Sequence, residues 1–279
     1  MPVSATEAWL CGNRTIELSP ERPFLLGILN VTPDSFSDGG KFVGQAAAVR
    51  QGMSLLAEGD GVDVGGESTR PGAEPVSAKE ERSRVIPVLK ELRKERPEAF
   101  LSVDTYKAEV AKAAIEEAGV DVVNDVGAGR WDEGMVSVLA GSRVGYVCMH
   151  AGGRPREMQK NPIYGDVVTE IREFLSNRLE SLAAAGVEGV RVVLDVGIGF
   201  GKTVEHNLSL LQADWSELGR PVLWGLSRKS FLEATKTEKK MKDRDEALDW
   251  WHRELLARGQ PMVWRVHDPH RVRAGAGLR

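Results

Sequence analysis

Eight short apolar runs recur along the chain, at residues 25–31, 61–64, 100–103, 120–123, 144–149, 190–196, 222–226 and 262–266. Most are dense in Val, Ile and Leu rather than alternating with polar residues, the pattern of strands covered on both faces. Segments with helical spacing lie between them. Residues 45–58 carry alanines and apolar side chains at helical intervals and stop at Gly59. Residues 77–96 open Ser-x-x-Glu, a capping box, and end before Pro97. Residues 106–118 are alanine-rich and stop at Gly119, 164–185 are amphipathic and stop at Gly186, and 243–258 stop at Gly259. Strands alternating with helices predict an α/β protein with a parallel sheet and right-handed crossovers. Eight units in 279 residues favour a closed (β/α)8 TIM barrel over an open doubly wound sheet. No low-complexity linker divides the chain, so a single barrel domain over 1–279 is expected. The polar stretch 235–244 reads as a solvated loop or a helix start.

Charge and composition narrow the partners. The net charge is −4, which gives a nucleic-acid partner no global electrostatic support. An anionic ligand would need a local basic cluster. The two cysteines, Cys11 and Cys148, have no metal-ligand spacing, which points to a reducing compartment rather than a disulfide scaffold. The N-terminus lacks a basic region followed by an apolar stretch, and no apolar run approaches the roughly 20 residues that cross a bilayer. The expectation is a cytoplasmic protein acting on small molecules, without a membrane partner.

In barrels of this kind the site forms at the C-terminal ends of the strands. Polar residues cluster there in each of the eight runs. They are Asn30 with 32–40, then 65–72, Asp104-Thr105, Asn124-Asp125, His150, Asp195 with 197–202, then 227–230 and Arg265 to Asp268. A single polar residue after a strand is usually a turn or helix cap, and that plain reading applies to Asp104 and Asp195. Eight such clusters converging on one rim suggest a site. Arg70, Arg228, Lys229, Arg265 and His267 would place positive charge on an acidic protein, and guanidinium forks suit phosphate oxygens. Asp104, Asn124 and Asp195 suit a flat heterocycle with several N–H donors.

Other motifs are weaker. Gly201-Lys202-Thr203 resembles the end of a P-loop, but Val196 stands where that motif needs glycine. The glycines at 197, 199 and 201 lack the spacing of a dinucleotide site. His206 and His252 are isolated and read as surface or packed residues, and the tryptophans as core or interface rather than a ligand cage. No Ser-His-Asp order and no HExxH is present.

Together these residues resemble the dihydropteroate synthase family. The run GILNVTPDSFSDGG at 27–40 is similar to that family's first motif, and DVGGESTRPG at 63–72 to its second. The likeness continues in order through Asp104-Thr105, Asn124-Asp125, Met149-His150, Asp195 with its glycine loop, SRKS at 227–230 and RVHD at 265–268. The resemblance implies a transferase of folate biosynthesis, the class that sulfonamides target. It would join 6-hydroxymethyl-7,8-dihydropterin diphosphate to p-aminobenzoate and release diphosphate. It implies Mg²⁺ held through Asn30. Asp104, Asn124 and Asp195 would hold the pterin edge, with Met149 and Phe200 against its face and Lys229 in contact. Thr69, Arg70, Arg265 and His267 would bind diphosphate, and Ser230 with Phe200 would meet p-aminobenzoate. Lys229, Arg265 and His267 would carry the catalysis. A homodimer through the late helices is also implied. The chain departs from the family at Val196, where proline is usual. It also departs at 235–259, where Trp250-Trp251 and many charges replace a small, alanine-rich helix.

Two other functions fit parts of this pattern. A pterin-dependent methyltransferase would share the barrel and the pterin-edge residues, but has no need of 227–230 or of Arg265 and His267. A non-catalytic pterin-binding paralogue would be expected to have lost site residues, and all of them are present.

Overall fold

The structure, a computed structural model, describes residues 7–32, 40–68 and 72–278. Its centre is a closed barrel of eight parallel strands: β3 (Phe24–Asn30), β4 (Gly61–Gly65), β5 (Leu101–Asp104), β6 (Val122–Asp125), β7 (Gly145–Met149), β8 (Val192–Asp195), β9 (Val222–Trp224) and β10 (Met262–Val266). They pair in chain order and β10 closes on β3. The eight apolar runs are these strands, trimmed at their ends. The run expected at 190–196 begins as a 3₁₀ turn, Gly189–Arg191, before β8 starts.

Helices lie between the strands: α1 (Gly40–Glu58), α2 (Ala78–Glu95), α3 (Ala108–Ala118), α4 (Gly134–Ala140), α5 (Val167–Ala184), α6 (Val204–Gln212), α7 (Phe231–Glu238), α8 (Arg244–Leu256) and α9 (Pro269–Ala276). Helix α2 starts where the capping box places it, with the Ser77 hydroxyl accepting from the Glu80 amide. Helix α5 starts three residues later than expected, because Asp166 caps the amides of Val168 and Thr169. Helices α4 and α6 were not anticipated; at 7 and 9 residues they are too short for a clear 3.6-residue period. The stretch 235–244 divides between the end of α7 and the turn into α8. There Trp251 is buried and donates to the Thr235 hydroxyl at 3.0 Å, so this bulky segment packs into the wall of the barrel.

The sequence reading also missed the hairpin of β1 (Glu7–Cys11) and β2 (Arg14–Leu18). Its two-residue turn, Gly12-Asn13, is a recognised hairpin signal, and Gly12 has φ +66°. Trp9, Cys11 and Leu18 of the hairpin cluster with Phe24, Leu26, Phe100, Val122, Val147, Val193, Leu223 and Val263. These are inward-facing residues from the N-terminal half of the barrel, contributed by six of the eight strands and by Phe100 just before β5, so the hairpin stoppers the N-terminal mouth. Side chains alternate along a strand. Two residues beyond Val122, Val147, Val193 and Val263 stand Asn124, Met149, Asp195 and Arg265. The interior therefore turns from apolar to polar toward the C-terminal mouth. The outward residues, among them Leu25, Val62, Leu101, Val123, Leu194 and Trp264, pack under the helices in the main core.

Candidate active site

Strand register assembles the site. Asn30 pairs with Gly65, Gly65 with Asp104, and Asp104 with Asn124. Met149 pairs with Asp195 on the other side of the barrel. Asp104, Asn124, Met149 and Asp195 are all buried, while Asn30, Phe200, Lys229, Arg265 and His267 are partly exposed around the opening.

A charged network fills the layer just inside. The Arg265 guanidinium donates from Nε to Asp63 Oδ2 and from Nη2 to Asp104 Oδ2, both at 2.6 Å. Asp63 Oδ2 also accepts from the Asn124 amide at 2.8 Å, and Asp63 Oδ1 from the Ser102 hydroxyl at 2.5 Å. The Oδ1 of Asp104 is buried with no hydrogen-bond partner among the described residues. Burial raises the pKa of Asp104, Arg265 opposes that, and the nearby Asp63 adds to it. Burial works against charge on Arg265 too, but Asp63 and Asp104 outweigh it and its pKa is raised. The helix-cap reading of Asp104 is excluded, since the first amide of α3, Ala108, donates to Asp132 and Asp104 accepts from Arg265 instead.

Asp195 does serve a turn. Its Oδ1 accepts from the Gly197 amide at 2.7 Å, while α6 is capped separately by Thr203. Burial raises the Asp195 pKa, against the pull of that amide and of Lys229 and Lys202. Lys229 Nζ sits 4.1 Å from the centre of the Phe200 ring, a cation–π pair. Burial lowers the Lys229 pKa to about 8, with Asp195 opposing. Arg228 precedes it in a left-handed conformation, φ +62°, in the tight turn between β9 and α7. A non-glycine residue there stores strain of about 1–3 kcal/mol, as functional turns often do. Ser230 is the exposed N-cap of α7 and makes no side-chain cap bond. His267 Nδ1 lies 2.9 Å from the Ser227 hydroxyl.

The glycine loop after β8 is built from below by residues the sequence reading passed over. Gly197 has φ +69°, and a Cβ there would stand 1.8 Å from the His150 carbonyl oxygen, so only glycine fits. The Gly199 amide donates to Asn207 Oδ1 and its carbonyl accepts from Gln159, each at 2.7 Å; the Gly201 carbonyl accepts from the Tyr164 hydroxyl at 3.0 Å. Lys202, the residue of the rejected P-loop, turns inward. It donates to the Phe200 carbonyl at 3.0 Å and lies 3.0 Å from His150 Nδ1. Burial lowers the pKa of Lys202 to about 7 and, with the Lys202 charge adding to it, that of His150 to about 2. At the end of β4, Glu67 accepts from the Tyr106 hydroxyl at 2.9 Å and pairs with Lys107, which also meets Glu81. This cluster anchors the chain entering the Thr69-Arg70 segment. Thr69 and Arg70 themselves, and residues 33–39 of the first long motif, lie outside the described residues.

The mouth therefore has acceptors low on its walls, an aromatic and a thioether side chain beside them, and cations at its rim. That is the lining of a site for a flat, donor-bearing heterocycle with an anionic tail.

Comparison with known proteins agrees. Residues 26–267 match the pterin binding enzyme family. Over 251 residues the chain is 40% identical to a dihydropteroate synthase of Synechocystis sp., covering 89% of this chain and 86% of that one. Among solved structures, it is similar to Xanthomonas albilineans dihydropteroate synthase with 4-aminobenzoic acid. That likeness has a TM-score of 0.85 and 38% identity, and covers 98% and 97% of the two chains. Burkholderia cenocepacia dihydropteroate synthase complexed with 7,8-dihydropteroate matches with a TM-score of 0.82 and 37% identity, covering 98% and 95%. The chain belongs to the pterin binding enzyme family, on its dihydropteroate synthase branch.

Proposed function

We propose that this protein condenses 6-hydroxymethyl-7,8-dihydropterin diphosphate with p-aminobenzoate, giving dihydropteroate and diphosphate. The observation that carries the reading is the buried, unpartnered Oδ1 of Asp104, set beside Asn124 and across the mouth from Asp195. A buried acceptor without a donor is costly, and a heterocycle bearing N–H groups would relieve it.

In this reading Asp104, Asn124 and Asp195 hold the pterin edge, Met149 and Phe200 flank its face, and Lys229 approaches from the Phe200 side. Arg265 and His267, with Thr69 and Arg70, take the diphosphate. Asn30 fits Mg²⁺ in one respect: it is a hard amide-oxygen donor at the rim. Among the described residues no group of three or more His, Cys, Asp or Glu could hold a metal, so the remaining ligands would be diphosphate oxygens and water. When bound, the ion would neutralise charge on the diphosphate.

The chemistry proposed is dissociative. The bond from the pterin methylene carbon to the diphosphate oxygen breaks, and its electron pair leaves with the oxygen, stabilised by Arg265 and His267. The arylamine nitrogen then attacks the methylene cation and loses a proton to water. An arylamine is nucleophilic while neutral, so no strong base is required. Ser230, at the start of α7, would meet the p-aminobenzoate carboxylate, a reading supported by its position at a helix N-terminus. Sulfonamides, as analogues of p-aminobenzoate, would compete there. The setting proposed is the cytoplasm, a reading supported by two buried free cysteines.

Diphosphate release measured with and without p-aminobenzoate tests the reading. Release that depends on p-aminobenzoate supports it. Methyl transfer from a pterin, or pterin binding without turnover, would replace it.

A further inference from the structure

Asp63 is the most buried charged group in the barrel interior, with no exposed surface, and the reaction as written does not use it. It accepts three hydrogen bonds from side chains on three other strands: Ser102 on β5, Asn124 on β6 and Arg265 on β10. A carboxylate offers only acceptors to these donors. Asn124 must therefore turn its NH₂ toward Asp63, which directs its carbonyl oxygen away from Asp63 and toward the mouth. Arg265 is fixed at two points, Nε on Asp63 and Nη2 on Asp104, so its plane cannot rotate without breaking one of them.

We propose that Asp63 is a positioning residue that sets the amide orientation of Asn124 and the plane of Arg265, and so decides which donor–acceptor pattern the mouth accepts. The proposal rests on the pterin-site reading above. With the amide locked, Asn124 presents its oxygen and its second N–H in a fixed order. A ligand edge with a donor and an acceptor in the complementary order is accepted, and the reversed order meets two like groups. Without Asp63 the amide can flip, because Asn has nearly the same shape in both orientations. Affinity should then fall and discrimination should fall with it. A role confined to folding would lower stability without changing selectivity.

The test begins with the wild-type protein, titrated with 6-hydroxymethylpterin and assayed for p-aminobenzoate-dependent diphosphate release. If it neither binds nor turns over, the functional reading fails and this inference fails with it. If it does both, Asp63→Asn is expected to weaken 6-hydroxymethylpterin binding by about 10- to 100-fold, the range for a disturbed charged hydrogen bond. In an Asn124→Ala background the same change should cost at least roughly threefold less, since part of its effect passes through Asn124. Independent, additive losses would overturn the proposal while leaving the site assignment intact. Asn124→Asp gives a second reading that does not require Asp63→Asn to fold. It sets a carboxylate against Asp63, so it should bind pterin more weakly than Asn124→Ala at pH 8 and recover as the pH falls and one carboxyl takes a proton. Binding by Asn124→Asp that equals or exceeds that of Asn124→Ala at pH 8 would show that Asp63 does not orient residue 124.

Discussion

The two mouths of this barrel are made by the same eight strands and could hardly differ more. At the N-terminal mouth, Trp9 packs its ring against Phe24 and Phe100 and donates Nε1 to the Arg191 carbonyl at 2.9 Å. The inward side chains clustered there are apolar, and a hairpin covers them. At the C-terminal mouth, two or four residues further along the same strands, Asp63 and Asp104 share one guanidinium and Asp104 keeps an unpartnered oxygen. One end buries apolar surface and stabilises the fold. The other holds Asp104, whose burial disfavours its charge, a cost that a ligand bearing donors could recover. Stability and function are thus separated along the barrel axis, and each end can be altered to test the division.

The largest effect is expected at the closed end. Trp9→Ala should lower the unfolding free energy by about 3–5 kcal/mol, as removal of a buried aromatic does. The kcat/KM of the molecules that remain folded should not change. Denaturant midpoints alongside activity at low temperature check this; a parallel loss of kcat/KM would show that the two ends are coupled.

Asp104→Asn should do the reverse. Pterin affinity should fall by about 1.5–3 kcal/mol in titration calorimetry. Stability at pH 7 to 8 should hold or rise. The sign follows from the raised pKa of Asp104: the folded state keeps its proton at pH values where the unfolded state has lost it, so this group subtracts stability as the pH rises above the unfolded carboxyl range near 4. The difference from wild type should vanish below that range. A variant that is destabilised at pH 8 would remove the open end's place in the comparison.

Between the ends, His252 of α8 stacks on Trp264 of β10, ring centroids 4.0 Å apart, with both ring nitrogens buried and without a hydrogen-bond partner among the described residues. Burial lowers its pKa to about 3. The folded protein therefore holds it neutral. That contribution is complete above the unfolded value near 6.5 and is lost as the pH falls toward 3, by about 1.4 kcal/mol per unit. His252→Phe, which keeps the stack, should gain about 2 kcal/mol over wild type at pH 5 relative to pH 7.5. Equal gains at both pH values would exclude titration of His252 as the cause.

The smallest effect is at the open rim. Ser230→Ala should raise the KM for p-aminobenzoate by about 3- to 10-fold, the worth of one hydrogen bond. It should leave stability within about 0.5 kcal/mol, because the side chain is exposed and caps nothing. An unchanged KM would move the p-aminobenzoate carboxylate elsewhere.

The sequence by itself determined the barrel and its active end. Runs of Val, Ile and Leu interrupted by helical segments admit few architectures, because buried parallel strands must be apolar on both faces. Polar residues directly after each run could be assigned to one rim for the same reason. Asn30, Asp104, Asn124, Asp195 and Arg265 were legible as a set on that basis. The hairpin signal at Gly12-Asn13 was present too, and went unread because a two-stranded ribbon has no partner until a barrel mouth exists to receive it. Asp63 illustrates what local sequence conceals. It sits within an apolar run, and only alternation around a closed barrel turns it inward, beside Asn124 from 61 positions later and Arg265 from 202 later. Lys202 and His150 were likewise ordinary polar residues until two loops met. Tertiary structure alone decided these pairings, because a buried charge takes its role from the partners that desolvate and neutralise it, and those partners come from distant strands.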